Sequence, residues 1–511
     1  MTIAAPLHIH ASDDVLIARI ADHESRIAAV LAPYDPRTAT LAWFETLRAV
    51  EELINLPTAD WGGDPFENRL YAHSPIWLLL EPRRLEQVRQ HLTRRFSETF
   101  ANRFAKLMLQ CAAIAGAFQS HGLADVAAHL ATVGQAIDYF QSRRRHLVGL
   151  LHTLPTACTG RVPVAQLDTL NIFLPVVEMD ALQLMGAHNA RLTQHAYGKL
   201  NISVDAAPEL DMLDAFHLEP ERSRITEMVL TDKGRAILKQ RETLPPGWLF
   251  SGAELRNDLV LIEAAYAEFN LEETAFGPAA TLVRALSTRF VDRDFWIEIK
   301  PAELARLCDE LAVPNALRAA LIHTGASYFQ ALSTYAPLIL VRGTYRSTVT
   351  LLSRFAYWWR ARTLDRIKRF QIRAGFLFER TVSAELKAQG FKLENITRIN
   401  HREFDVVTTR GGTIWNIQCK NNFTDLDRVD TDAVRFARYN KGLVRAYERA
   451  LEKERAREGL LKSKLALERI EHVVVSRFPV LTTNRRIIPF NRLAAFAGLA
   501  DTIEGVRQAA A

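Results

Sequence analysis

Residues 373–422 read RAGFLFERTVSAELKAQGFKLENITRINHREFDVVTTRGGTIWNIQCKNN, and the fold turns on how this stretch pairs with itself. Its second half has the composition of a β-hairpin. Two runs rich in Val, Ile, Thr and Trp flank Gly411-Gly412, a dipeptide suited to a tight primed turn. With these glycines as the two turn residues, Arg410 faces Thr413 and Asp405 lies directly across from Gln418. Side chains alternate along a strand with a period of two, so Lys420 shares the face of Gln418. The first half, AGFLFERTVSAELKAQGF, is patterned as a helix. Glu379 lines up there with Ile372, Val382 and Leu386 at helical spacings, which predicts a carboxylate inside the apolar stripe that packs on the sheet. A charge buried in that position needs a partner or a metal ion.

An acid on a helix, an acid on one strand and an amide plus a lysine on the next form a constellation that resembles the PD-(D/E)xK nuclease superfamily. Glu379 matches the helix acid, Asp405 the strand acid, and Gln418-Cys419-Lys420 the (E/Q)xK tripeptide. Gln stands where most members have Glu, a variant that Mrr-like restriction endonucleases also carry. The resemblance covers roughly the last third of the chain. It implies an α/β restriction-endonuclease-like domain with a central mixed β-sheet, and an endonuclease that hydrolyses DNA, as in restriction or phage defence. It also implies Mg²⁺ (or Mn²⁺) held by Asp405, Glu379, Gln418 and the backbone carbonyl of Cys419. Lys420 would orient or help deprotonate a water. Glu379, Asp405, Gln418 and Lys420 are thus the expected catalytic residues, and the neutral Gln418 favours one tightly held metal over two. The plain alternative is an ordinary cross-strand ion pair between Asp405 and Lys420, with Glu379 reaching out to solvent.

The chain has 511 residues, 48% hydrophobic and 24% charged, which is the composition of a soluble globular protein with more than one domain. Its first residues, MTIAAPLHIHASDD, lack the basic start and apolar core of a signal peptide. No stretch reads as the run of about 18 apolar residues that spans a bilayer, so the expected location is the cytoplasm and no membrane partner is expected. Cys111, Cys158, Cys308 and Cys419 are scattered, which suggests neither a disulfide framework nor a structural zinc site. The net charge of +6 is unevenly spread. Residues 360–511 carry 30 Lys and Arg against 18 Asp and Glu, a balance of +12, which leaves −6 for residues 1–359. Phosphate neutralisation dominates nucleic-acid affinity, so DNA contact is expected on the same third of the chain as the acids.

Three regions follow: a helical bundle over residues 1–155, a mainly helical region over 156–359 that recognises substrate or a partner, and the nuclease-like domain over 360–511. Within the bundle, Arg143-Arg144-Arg145 is read as a solvated face. VLTDKGRAIL, at 229–238, resembles a winged-helix corner but is equally a helix start with Thr231 as N-cap. His10, His152, His188, His195, His217 and His323 never fall at metal-ligand spacing and are read as structural or surface residues. Tyr357, Trp358 and Trp359 are read as packing rather than as base-stacking groups. Asp425, Asp427, Asp430 and Asp432 form an acidic loop ahead of a long helix. On that helix Arg435, Arg438, Lys441, Arg445, Arg449, Lys453 and Arg457 recur every three or four residues, a basic stripe about 33 Å long at 1.5 Å per residue and a candidate DNA contact. The competing functional readings are a nuclease fold that binds nucleic acid without cutting it and a helical interaction scaffold. A homo-oligomer or a defence-system protein is the expected protein partner.

Overall fold

The computed structural model of the chain describes residues 12–56, 64–198, 230–244, 251–292, 295–325, 327–422, 432–478 and 480–501. His10, His217, Asp425, Asp427 and Asp430 lie outside these residues. Helices of fourteen residues or more are numbered here with all strands. They are α1 Asp13–Leu31, α2 Pro36–Ile54, α3 Pro82–Arg95, α4 Glu98–Ser120, α5 Val133–Ala157, α6 Gln166–Tyr197, α7 Gly252–Ala265, α8 Phe276–Arg289, α9 Val349–Leu364, α10 Lys368–Ala388 and α11 Ala433–Arg455. The strands are β1 Val291–Asp292, β2 Trp296–Ile299, β3 Ile339–Val341, β4 Thr344–Thr348, β5 Lys392–Glu394, β6 Arg398–Ile399, β7 Arg402–Glu403, β8 Val406–Arg410, β9 Thr413–Lys420, β10 Arg469–Ser476 and β11 Ile487–Pro489.

Helices α1–α6 share one apolar core, centred on residues such as Trp43, Phe104, Phe140 and Phe173. The arginine triplet on α5 departs from its solvated reading, because α5 runs through this core with few faces left for water. Arg144 makes two hydrogen bonds to the buried Glu51, at 2.8 and 2.7 Å. Arg143 meets Glu178 at 2.7 Å, and Arg145 donates to the Leu332 carbonyl at 3.0 Å. Each charge is therefore paired before it is buried. Contrary to the expectation that no stretch reaches spanning length, α6 is long and apolar enough to cross a membrane by length and composition. Most of its apolar window, 61%, is buried within the protein, and Glu178 inside it is bonded to Tyr139 and Arg143, so it serves as a core helix.

The next region holds more sheet than its sequence pattern predicts. An antiparallel sheet of order β1-β2-β4-β3 packs with α7, α8 and α9. These strands are short and polar on one side, so they give little periodic signal. Tyr357 and Trp359 are buried in that core, and Trp358 stacks on Tyr335 at 5.4 Å, in keeping with a packing role. Thr231 does cap a helix, accepting from the Gly234 amide at 3.1 Å.

Helix α10 joins this region to the last one. Phe370 and Ala374 near its start belong to the middle core, whereas Phe378, Val382 and Leu386 pack with Trp415 and Ile417 of the C-terminal sheet. It ends at Gly390, whose φ of 84° lets the amides of Gly390 and Phe391 turn back onto Lys387 and Leu386 at 3.1 Å each. The C-terminal sheet is mixed, with order β11-β10-β9-β8-β5. β5, β8 and β9 form an antiparallel meander, and α11 returns the chain so that β10 runs parallel to β9. Gly411 and Gly412 have φ of 58° and 76°, as a primed turn demands, and Arg410 pairs with Thr413 as their sequence predicts.

Candidate active site

The hairpin register carries Asp405, one residue ahead of β8, up to Gln418 on β9. The Gln418 amide nitrogen donates to Oδ2 of Asp405, and the Cys419 amide donates to the same oxygen at 2.8 Å. Strand residues present their N–H and C=O to the same edge, and alternate residues to alternate edges. The Lys420 carbonyl accepts from Arg477 on the β10 side at 2.9 Å, so Cys419 turns its amide and carbonyl toward Asp405. No ion pair joins Lys420 to Asp405, so the plain cross-strand pair does not form. Lys420 instead acts on Asp405 through space.

Glu379 reaches the site from α10. Its stripe is only partly as predicted: Val382 and Leu386 are fully buried, but Ile372 is 52% exposed. The apolar face of α10 rotates away from Ile372 because its first turns pack on the middle region through Phe370 and Ala374 instead. Glu379 thus lies at the border between the buried face and water. Burial, then the charges of Asp405 and Glu403, push its carboxyl up to about 7. Burial likewise holds Asp405 above its usual range, although the Cys419 amide, Gln418 and Lys420 all draw it down. The Cys419 thiol is pushed well above its usual value by burial and the same two acids, which leaves it a neutral group.

Sequence reasoning missed a second layer. Asn416, two residues before Gln418 on the same face, donates to the buried Glu454 of α11 at 2.8 Å and lies 3.1 Å from Nδ1 of His472. His472 in turn meets Glu458 at 3.2 Å. Arg457 closes the network on Glu454 and sits over the Phe404 ring at 4.5 Å. Glu454 contributes to the raised state of Asp405. The parity of Asn416 with Gln418 and Lys420 was the available signal, since it places all three side chains on one face.

Arg457 is accordingly withdrawn from the basic stripe: α11 stops at Arg455, and Arg457 is committed to Glu454. The rest of the stripe forms as expected. Ala433, Phe436, Asn440, Tyr447, Leu451 and Glu454 face inward, while Arg435, Arg438, Lys441, Arg445, Arg449 and Lys453 are exposed on the opposite side. Arg435 is 3.4 Å from Asp432, which caps the helix by accepting from the amides of Val434 and Arg435. Asp432 is thus a capping group at the start of α11. Among the described residues the other five have no ion-pair partner.

No family model, curated protein or solved structure matches this chain. The site must therefore be judged on its own chemistry. Among the described residues no three His, Cys, Asp or Glu side chains gather as a metal group. What does gather is the Asp405 carboxylate, the Gln418 side-chain amide and the Cys419 strand carbonyl, with the Glu379 carboxylate on α10 near enough to feel the charge of Asp405. This all-oxygen set fits a hard dication such as Mg²⁺, which keeps several waters and needs only one or two carboxylates. Burial raises the proton affinity of both acids, and the charge of Asp405 adds to that of Glu379, a conflict that a cation relieves.

This conflict has a measurable sign. A Glu379 carboxyl loses its proton near 4.5 when unfolded and near 7 when folded, so between those values the folded state holds more protons and stability falls as pH rises. In EDTA the melting temperature should drop across that window, and Glu379→Gln should flatten the drop. Mg²⁺ should stabilise the wild type more at the alkaline end than at the acid end. Equal slopes for wild type and Glu379→Gln would assign the pH dependence to other groups.

Proposed function

We propose that this chain is a metal-dependent nuclease that hydrolyses phosphodiester bonds of DNA. The observation that carries the reading is the double grip on Asp405: one carboxylate oxygen takes hydrogen bonds from Gln418 and from the Cys419 amide, with Glu379 close enough to feel its charge. That grip fixes the acid rather than neutralising it with Lys420, and so leaves Lys420 free for a reacting group.

In this reading Asp405, Glu379, the Cys419 carbonyl and the Gln418 amide oxygen would hold Mg²⁺. When bound, the ion supplies positive charge to the phosphate as it passes through its five-coordinate state. Lys420, as an ammonium, orients the attacking water, the water gives its proton to solvent as its oxygen bonds to phosphorus, and the 3′ or 5′ oxygen departs as the bond to it breaks, taking a proton from solvent. The exposed basic face of α11 supplies duplex affinity through Arg438, Lys441, Arg445, Arg449 and Lys453. The helical region before α10 would select the substrate, a second copy or a defence-system partner. A role in restriction or phage defence, in the cytoplasm, is part of the same proposal and rests on the resemblance alone.

A second reading is favoured by one observation, the lack of any three-residue His, Cys, Asp or Glu group among the described residues. A nuclease fold that binds nucleic acid without cutting it would need none. Gln418→Glu separates the two. It adds a third acid beside Asp405, where the wild-type amide donates a hydrogen bond. Cleavage should persist, at lower Mg²⁺ than wild type requires, while the metal-free variant loses about 1–3 kcal/mol of stability through repulsion and a lost bond. A variant with unchanged stability in EDTA and no response to Mg²⁺ would favour the binding-only reading.

A further inference from the structure

The inference concerns the substrate class, and it rests on the nuclease reading above. Ile372 and Phe376 stand one turn apart on α10 and are 52% and 56% exposed, large apolar side chains left in water. Phe376 precedes Glu379 by three residues, so it lies about 4.5 Å back along the helix axis and on an adjoining face. The apolar pair is bracketed by cations. The Arg369 side chain on one side is 72% exposed although it lies 4.0 Å from Glu268, and on the other Arg380 is exposed, with no ion pair of its own among the described residues. Across the acid, the β6–β7 hairpin turns through Asn400 and His401, both at positive φ, and leaves Arg402 exposed next to Glu403, whose charge is felt by Glu379.

A flat aromatic ring flanked by arginines, one helical turn from Glu379, suits a nucleobase lying on the ring with phosphates on either side. Two side chains fall far short of the roughly 800 Å² per partner that a stable protein interface buries. In a fully paired duplex the bases are stacked on one another and offer no free face to such a ring. We propose that Phe376, seconded by Ile372, is a stacking platform for an unpaired base beside the cut, so that the favoured substrate is DNA opened at that point: a flap, a mismatch or a single-stranded end.

The test uses the full chain in EDTA, where no cutting intervenes. Affinity is measured for three labelled oligonucleotides of one sequence: a perfect duplex, the duplex with a single-stranded flap, and the single strand. Phe376→Ala should weaken binding of the flap and the single strand about tenfold, as loss of one base–aromatic stack does. Perfect-duplex affinity should stay within about twofold, since the α11 face is untouched. Phe376→Trp should restore the flap preference. Phe376 is exposed, so both variants retain the fold, which their melting curves will verify. Equal effects on all three oligonucleotides, or none, would overturn the platform. So would a change in sedimentation of the protein alone, which would mark the ridge as a contact between copies. Absence of Mg²⁺-dependent cutting by the wild type would defeat the nuclease reading alone, because the binding pattern in EDTA stands without it.

Discussion

Asp405→Asn should abolish cleavage, by roughly 10²–10³-fold or more, while duplex affinity stays within about twofold of wild type. Asparagine keeps an oxygen to accept from Gln418 and Cys419, so the hairpin end stays in place and only the charge is lost. Alanine would remove both acceptors and confuse chemistry with local collapse. Lys420→Ala should match the loss in rate for a different reason. Lys420 has no ion pair with Asp405, so its removal leaves no unpaired partner and should change stability little. The pair thus separates catalysis from both folding and binding. Wild-type rates in Asp405→Asn would return Asp405 to a structural role in holding the end of β9.

Reversing Arg445 and Arg449 to Glu should have the opposite signature. Both are exposed on the outer face of α11 and have no ion-pair partner among the described residues, so the double variant should fold normally. If both touch phosphates, duplex affinity should fall by more than tenfold at moderate salt, and the slope of log affinity against log salt should shrink by about two units. The turnover of DNA already bound should change little. An unaltered slope would make that face an ordinary solvated surface, and the remaining basic residues of the last region would have to supply the contact.

The hairpin was legible because two glycines fix its register arithmetic, and period-two alternation then dictates which side chains meet. Gln418 and Asp405 were brought together on those grounds alone. The basic stripe of α11 was legible for the same kind of reason, since its arginines and lysines repeat every three or four residues and stand opposite the buried face. Other features depended on tertiary partners that no local pattern encodes. Ile372 fits the apolar stripe of α10, yet the helix is shared between two cores and its first turns face the other one. Arg144 and Arg145 look like surface residues until Glu51 and the Leu332 carbonyl, both distant in sequence, are brought beside them. Arg457 continues the spacing of the basic stripe, but α11 ends two residues before it and Glu454 claims it. The first sheet escaped notice because its strands are two to five residues long.

The most direct measurement is incubation of the purified full chain with supercoiled plasmid, linear duplex and single-stranded DNA, each in Mg²⁺ and in EDTA, with Asp405→Asn run alongside. Cut products in Mg²⁺ from the wild type, and none in EDTA or from Asp405→Asn, are expected. Intact DNA in every wild-type lane, with binding preserved, would contradict the nuclease assignment and leave a protein that holds nucleic acid without cutting it.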